Sequence, residues 1–380
     1  MIDTSDKIPS LAASNNQSRQ SNIELLRIIS MFLICLHHFC LFSDFQWTSM
    51  TPGLYTVQCL SLGGKIGVSI FIMITGYFMV NQRISGKKVI RFYLQVLFYS
   101  ICIYFIAVYA FHQEPGTDDL RTVFMPISSN SYWFATTYLM IYLSSPFINI
   151  FIRALSKEQH FLLIFLSVSI WIIWYLYNVG NINYSEYVWM FLLYMIGAYI
   201  RLYPPQRFTR QTVNLICLIL LIVSACMALS VCNSANKSFY TDAAYFFNMN
   251  NFFIFSISLI LFLIFVNIRI PYSKIINTLA SATFGVYLIH ENPTLRSVCW
   301  TKIIHSVSMQ ESPLLIPYAI GISLLVLLAC SSIDLIRKFL LEKPLMKIID
   351  KYGSSIAVPF IHIWNEIWHK IYIDKSDASK

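Results

Sequence analysis

Apolar runs of roughly twenty residues recur along this chain from Ile23 onward, and each is long enough to cross a hydrocarbon core as a helix. Lipid offers no hydrogen-bond partners, so only helices or closed barrels span it. The runs are continuous, as in FLLIFLSVSIWIIWYLY from Phe161 to Tyr177, whereas barrel strands alternate polar and apolar residues. The chain therefore reads as all-α, a polytopic membrane helical bundle. Only 12% of its 380 residues are charged, about half the share of a soluble domain, which excludes an ordinary soluble enzyme.

Ten spans are predicted, near residues 23–42, 57–80, 92–111, 132–151, 161–177, 187–200, 212–231, 252–267, 275–290 and 314–336. The net charge of +9 does not point to nucleic acid, because the basic residues sit in short loops and in the C-terminal segment. With the N-terminus inside, every inner loop holds at least two cations, as with Arg83, Lys87, Lys88 and Arg91, whereas the outer loops hold only Arg121, Lys237, Arg296 and Lys302. The positive-inside rule then puts both termini in the cytoplasm. Residues 1–22 are polar and read as a disordered tail, with a full-length apolar run behind them and no cleavage site of the kind a signal peptide has. Residues 23–336 form the membrane domain. Residues 337–380 read as a basic amphipathic tail, where LMKIIDKY and FIHIWNEIWHKIYI are expected to lie on the inner leaflet. The nine cysteines include no CxxC pair and are mostly scattered through apolar segments.

The first span carries the sharpest chemistry, RIISMFLICLHH from Arg27 to His38. An eleven-residue step rotates a helix about 20° past three turns, so Arg27 and His38 share a face about 16 Å apart along the axis, while His37 points about 80° away. Glu24 lies three residues before Arg27, at helical pairing distance. One reading is a column with an anion binder at one end and a histidine base at the other. The other is an arginine snorkelling to the interface, with histidines marking the far end of the span. A metal site is not expected, since adjacent histidines diverge on a helix and no HExxH or Cys/His spacing accompanies them.

Several stretches, taken in order, resemble the integral membrane acyltransferase-3 family, whose members O-acetylate surface polysaccharides and related glycans. They are Glu24, Arg27 and His38 on the first span, GVSIFIMITGYF from Gly67 to Phe78 with Thr75 for the usual serine, and the basic element KKVIR. YWFATTYLMIYLSSPFIN from Tyr132 and TFGVYLIHENP from Thr283 to Pro293 look like its exopolysaccharide and capsule branch. The resemblance covers about residues 22 to 340. It implies a multi-pass protein of a bacterial cytoplasmic membrane that moves an acetyl group from acetyl-CoA to a lipid-linked or surface glycan. It casts His38, Arg27 and Glu24 as catalytic, and it puts Lys88, Arg91 and the neighbouring Lys87 against the phosphates of the coenzyme. Two departures stand out: Thr136 and Thr137 occupy a segment where many relatives carry a glutamate, and Lys88 replaces an arginine, keeping charge without the bidentate fork.

The remaining polar residues admit plainer readings. Tyr132 and Trp133 open the fourth span where aromatic belts lie, with stacking on a sugar as the alternative. His290, Glu291 and Asn292 end the ninth span and offer polar contacts to the acceptor. Lys65 snorkels, Gly63 and Gly67 mark a close helix contact, and Asp334 pairs with Arg337 or Lys338. A transporter or flippase, with Arg27, His38 and His290 lining a substrate path, is the rival reading. It expects an inverted repeat, and none is found in the sequence.

Overall fold

The computed structural model describes residues 20–47, 49–112, 119–177, 185–204, 211–235, 246 and 248–356, and among them there is no strand. The helices are α1 (Ser21–Phe42), α2 (Pro52–Ser61), α3 (Gly63–Met79), α4 (Gly86–Phe111), α5 (Asp119–Phe124), α6 (Trp133–Ala154) and α7 (Lys157–Tyr177). They continue with α8 (Glu186–Leu202), α9 (Gln211–Ala235), α10 (Phe252–Asn267), α11 (Lys274–His290), α12 (Pro293–Ser297), α13 (Leu315–Arg337) and α14 (Lys343–Ile356). A helix, or the α2–α3 pair, stands at each segment where a span is predicted. By length and composition, six stretches of the described chain can cross a membrane: Ser21–Phe42, Pro52–Met79, Gly86–Phe111, Trp133–Ala154, Gln211–Ser234 and Leu315–Lys351. The protein is a polytopic helical membrane bundle. Its outer surface is apolar accordingly, and α9 leaves Ile216, Ile219, Leu220, Val223 and Met227 exposed, a stripe that water would not tolerate.

Two boundaries differ from the sequence reading in ways that bear on the site. α4 begins at Gly86, where the Ser85 carbonyl accepts from the amides of Lys88 (2.9 Å) and Val89 (3.2 Å), so Lys87, Lys88 and Arg91 sit on its opening turns rather than in a loop. The last span does not end at residue 336 either. It runs through a π-helical turn at Lys338–Glu342 into α14, so the expected tail starts as a continuation of α13. LMKIIDKY falls on α14, while FIHIWNEIWHKIYI and residues 1–19 lie outside the described residues.

α1 is the axis of the bundle, in contact with α2, α3, α10, α11 and α13, and α3 joins it to α8. Small residues permit this closeness. A side chain at Gly67 would strike the Ser30 carbonyl of α1, one at Gly76 would strike the backbone of Tyr194, and one at Gly197 would strike that of Met73. Lipid tails supply no hydrophobic drive between helices, so such backbone approach and interhelical hydrogen bonds do the holding. The bonds include Asn149 Nδ2 to the Met79 carbonyl (2.9 Å), Tyr194 Oη to Asn149 Oδ1 (2.9 Å) and Asn233 Nδ2 to Gln58 Oε1 (2.7 Å). In α6, Pro146 cannot bond the Tyr142 carbonyl, and the Ser145 hydroxyl donates to it instead at 2.7 Å.

Gly197→Val should destabilise the bundle by about 1–3 kcal/mol through overpacking against α3. Gly321→Ala, inside α13 where the added carbon meets nothing within 4 Å, should leave stability unchanged or raise it by up to about 1 kcal/mol. Thermal unfolding of the two purified variants in detergent compares them.

Candidate active site

Arg27 and Glu24 form the pair that their spacing predicts, with Arg27 Nη1 2.9 Å from Glu24 Oε2. Arg27 lines two cavities that also share Thr75 and Tyr138. The larger, about 460 Å³, adds Arg91, Gln95, Lys338 and Glu342, with the rings of Phe92 and Phe284 beside them. The smaller, about 330 Å³, adds Glu24, Gln82, Lys88 and Tyr142. Arg27, Lys88 and Arg91 are thus gathered at one end of the bundle, on cavities that meet at Arg27. Lys88 Nζ donates to Gln82 Oε1 at 3.3 Å, and Arg91 Nε lies 3.5 Å from Glu342 Oε1. Lys87 is turned elsewhere: its Nζ is 2.6 Å from Asp350 Oδ1 on α14, and it lines neither cavity.

His38 is 9% exposed and belongs to a second cluster. Its Nδ1 stands 2.8 Å from His290 Nε2 and 3.3 Å from Glu291 Oε2. His290 Nδ1 lies 2.6 Å from the Val286 carbonyl one turn back in α11. Glu291 Oε1 accepts from Arg296 Nη1 at 3.0 Å, whereas its Oε2 has no hydrogen bond and is buried. His37, rotated away as the helical arithmetic requires, has Nδ1 2.7 Å from the Ser61 carbonyl and packs where Gly64 lacks a side chain. The two ends of α1 do not share one of the described cavities. The larger cavity reaches Met31, Phe71 and Phe134, and Met31 lies about 10 Å along the axis from His38.

The residues expected to meet an acceptor divide. Tyr132 is no interfacial belt residue, being 1% exposed, because its hydroxyl is tied inside: it accepts from Asn292 Nδ2 at 2.6 Å and faces the Leu288 carbonyl at 3.3 Å. Asn292 is also committed, its Oδ1 capping α12 through the amides of Thr294 (2.9 Å) and Leu295 (3.3 Å). Trp133 carries Lys65 Nζ over its ring at 4.6 Å, so this lysine has an aromatic partner rather than snorkelling alone. Glu291 is the residue whose place the sequence understated. The acid sits next to the helix-ending His290, but only the crossing of α11 with α1 sets it against His38.

Residues 20–335 match the model of a family described as an acyltransferase domain. The chain belongs to the acyltransferase-3 family. Comparisons with curated proteins and with solved structures give no match. Family membership and the apolar helices together make the protein a multi-pass membrane acyltransferase.

In this acyltransferase a third polar group is structural. Asp334, on α13, is fully buried and its Oδ1 accepts from Arg337 Nε (2.9 Å), Tyr99 Oη (2.9 Å) and Gln95 Nε2 (3.1 Å), while Lys338 Nζ lies 3.0 Å from Oδ2. It therefore pairs with both cations that its spacing offers and ties α13 to α4. Gly285 of α11 leaves the room it occupies. Removing one member of such a cluster strands the others. Asp334→Ala should lower stability by about 3–5 kcal/mol, seen as loss of monodisperse protein on size exclusion.

Proposed function

We propose that this acyltransferase takes an acetyl group from acetyl-CoA at the Arg27 end and delivers it to a hydroxyl of a cell-surface or lipid-linked glycan at the His38 end. The observation that carries the donor half is the convergence of Arg27, Lys88 and Arg91 on two adjoining cavities. Guanidinium and ammonium groups hold phosphates through charge-assisted hydrogen bonds, and the positive end of α4 adds to the field there. Charge count on the loops favours this end as the cytoplasmic one, where the coenzyme is made. Lys87 acts only through its charge, because its ammonium is engaged by Asp350. Glu24 is the counter-ion that holds Arg27 in place.

His38 is the general base of the reading. It takes the proton of the acceptor hydroxyl as the oxygen bonds to the acyl carbon, then returns that proton to the coenzyme sulfur as the carbon–sulfur bond breaks. Direct transfer needs no further nucleophile. From the larger cavity, whose wall includes Met31, Phe71 and Phe134, the acyl arm would extend toward the imidazole, a reach that suits the thin chain of pantetheine better than a sugar. The acceptor half rests on family resemblance and on the polar cluster at His38.

The test uses membranes carrying the full chain, labelled acetyl-CoA and endogenous acceptor. His38→Ala and Arg27→Ala should each cut transfer at least about 100-fold, and parent-level turnover in either removes that residue from the mechanism. Acetyl-CoA should also stabilise the purified protein against heat by ligand linkage, and the shift should weaken more for Arg91→Ala and Lys88→Ala than for Lys87→Ala. No stabilisation at saturating coenzyme would return the transporter reading.

A further inference from the structure

The contacts of His290 fix where the protons of the buried imidazole pair reside. The Val286 carbonyl has no hydrogen to give, so the hydrogen of its 2.6 Å contact is carried by His290 Nδ1. With one proton on that ring, His290 Nε2 holds a lone pair and can only accept. The hydrogen in the 2.8 Å contact between the rings is therefore on His38 Nδ1, and the neutral His38 keeps its lone pair on Nε2. A turn of α11 backbone thus selects, through one imidazole, the tautomer of the next.

We propose that His290 and Glu291 are positioning residues for His38: His290 holds its ring and tautomer so that Nε2 is the basic atom, and Glu291 stabilises the positive charge that forms on the ring. This deepens the reading of His38 as general base and rests on it. When Nε2 takes the hydroxyl proton, the imidazolium keeps its Nδ1 hydrogen directed at His290 Nε2, with Glu291 Oε2 3.3 Å away. That oxygen is buried and accepts no hydrogen bond among the described residues, while its twin is held by Arg296. An acceptor so placed adds most when a positive charge appears beside it, which makes its contribution larger in the transition state than in the resting enzyme. The proton leaves Nε2 for the coenzyme sulfur and the pair returns to its starting state. The role differs from the acceptor contact that the sequence suggests for His290, since both of its ring nitrogens are already engaged within the protein.

The test compares His290→Leu, His290→Gln and His290→Asn in membranes carrying the full chain, with His38→Ala in parallel. Leucine fills the space but accepts nothing, whereas the glutamine oxygen reaches where Nε2 stands and can accept from His38. His290→Leu should lower kcat at least about 100-fold with KM for acetyl-CoA within about twofold, and His290→Gln should stay within about tenfold of the parent. A merely structural role predicts the reverse order, since leucine packs better than a buried amide. His290→Asn, too short to reach His38, should behave like leucine and replaces it if the leucine variant does not insert. Parent-level turnover in His290→Leu, or glutamine no better than leucine or asparagine, overturns the inference while leaving His38 in place. Activity retained in His38→Ala instead overturns the parent reading.

Discussion

Everything in this bundle depends on one constraint: α1 lies inside the protein, so each polar group it carries must find its partner there. An unpaired donor or acceptor shut away from water costs several kcal/mol, by order of magnitude. Glu24 answers Arg27, the Leu26 carbonyl accepts from the Ser30 hydroxyl at 2.8 Å, Ser61 answers His37, and His290 answers His38. These partners come from α1 itself, from α2 and from α11. The chemistry of the first helix is therefore inseparable from the way its neighbours are arranged. A helix that merely snorkelled its charges to the two interfaces would need none of them.

The neighbours can answer because they come close. Glycines at 67, 76 and 197 let α1, α3 and α8 meet backbone to side chain or backbone to backbone. Packing of that kind has little slack, as a protein interior is as dense as a molecular crystal. A distance such as the 2.8 Å between His38 and His290 is then set by the seating of whole helices rather than by loops. The Asp334 cluster does the same service at the other end, tying α13 to α4 beside the larger cavity, whose wall includes Lys338.

The fold was legible because apolar length and helical periodicity are local properties. A helix stands at each apolar run, and the close contact at Gly63 and Gly67 follows from spacing alone. The i, i+3 pair of Glu24 and Arg27 is equally local, as are the partners of Asp334 one turn on. What the sequence misjudged is long-range. Tyr132 sits at a helix opening, where an interfacial ring is the common case, but its hydroxyl is drawn inward by Asn292, 160 positions away. Lys87 is one residue from Lys88, yet a helix turns adjacent side chains about 100° apart, and α14 claims one while a cavity takes the other. Glu291 shows the same limit most clearly: the sequence lacks an acid at Thr136 and Thr137, and the protein brings one to His38 from a segment that periodicity cannot relate to the first helix.

The charge layout also gives the proposed reaction a direction. Arg27, Lys88 and Arg91 gather at one end with Glu24 and Glu342 among their partners, and Glu291, shared with Arg296, stands at the His38 end, where a transient cation would form. The larger cavity is walled in part by Met31, Phe71 and Phe134, groups that offer water nothing to bond. A thioester held against such a wall, as proposed, would be shielded from hydrolysis, because excluding water suppresses the side reaction that an open site would permit. In the proposed reaction, the roughly 16 Å between arginine and histidine would keep the phosphates in reach of their cations while the reacting carbonyl meets the imidazole.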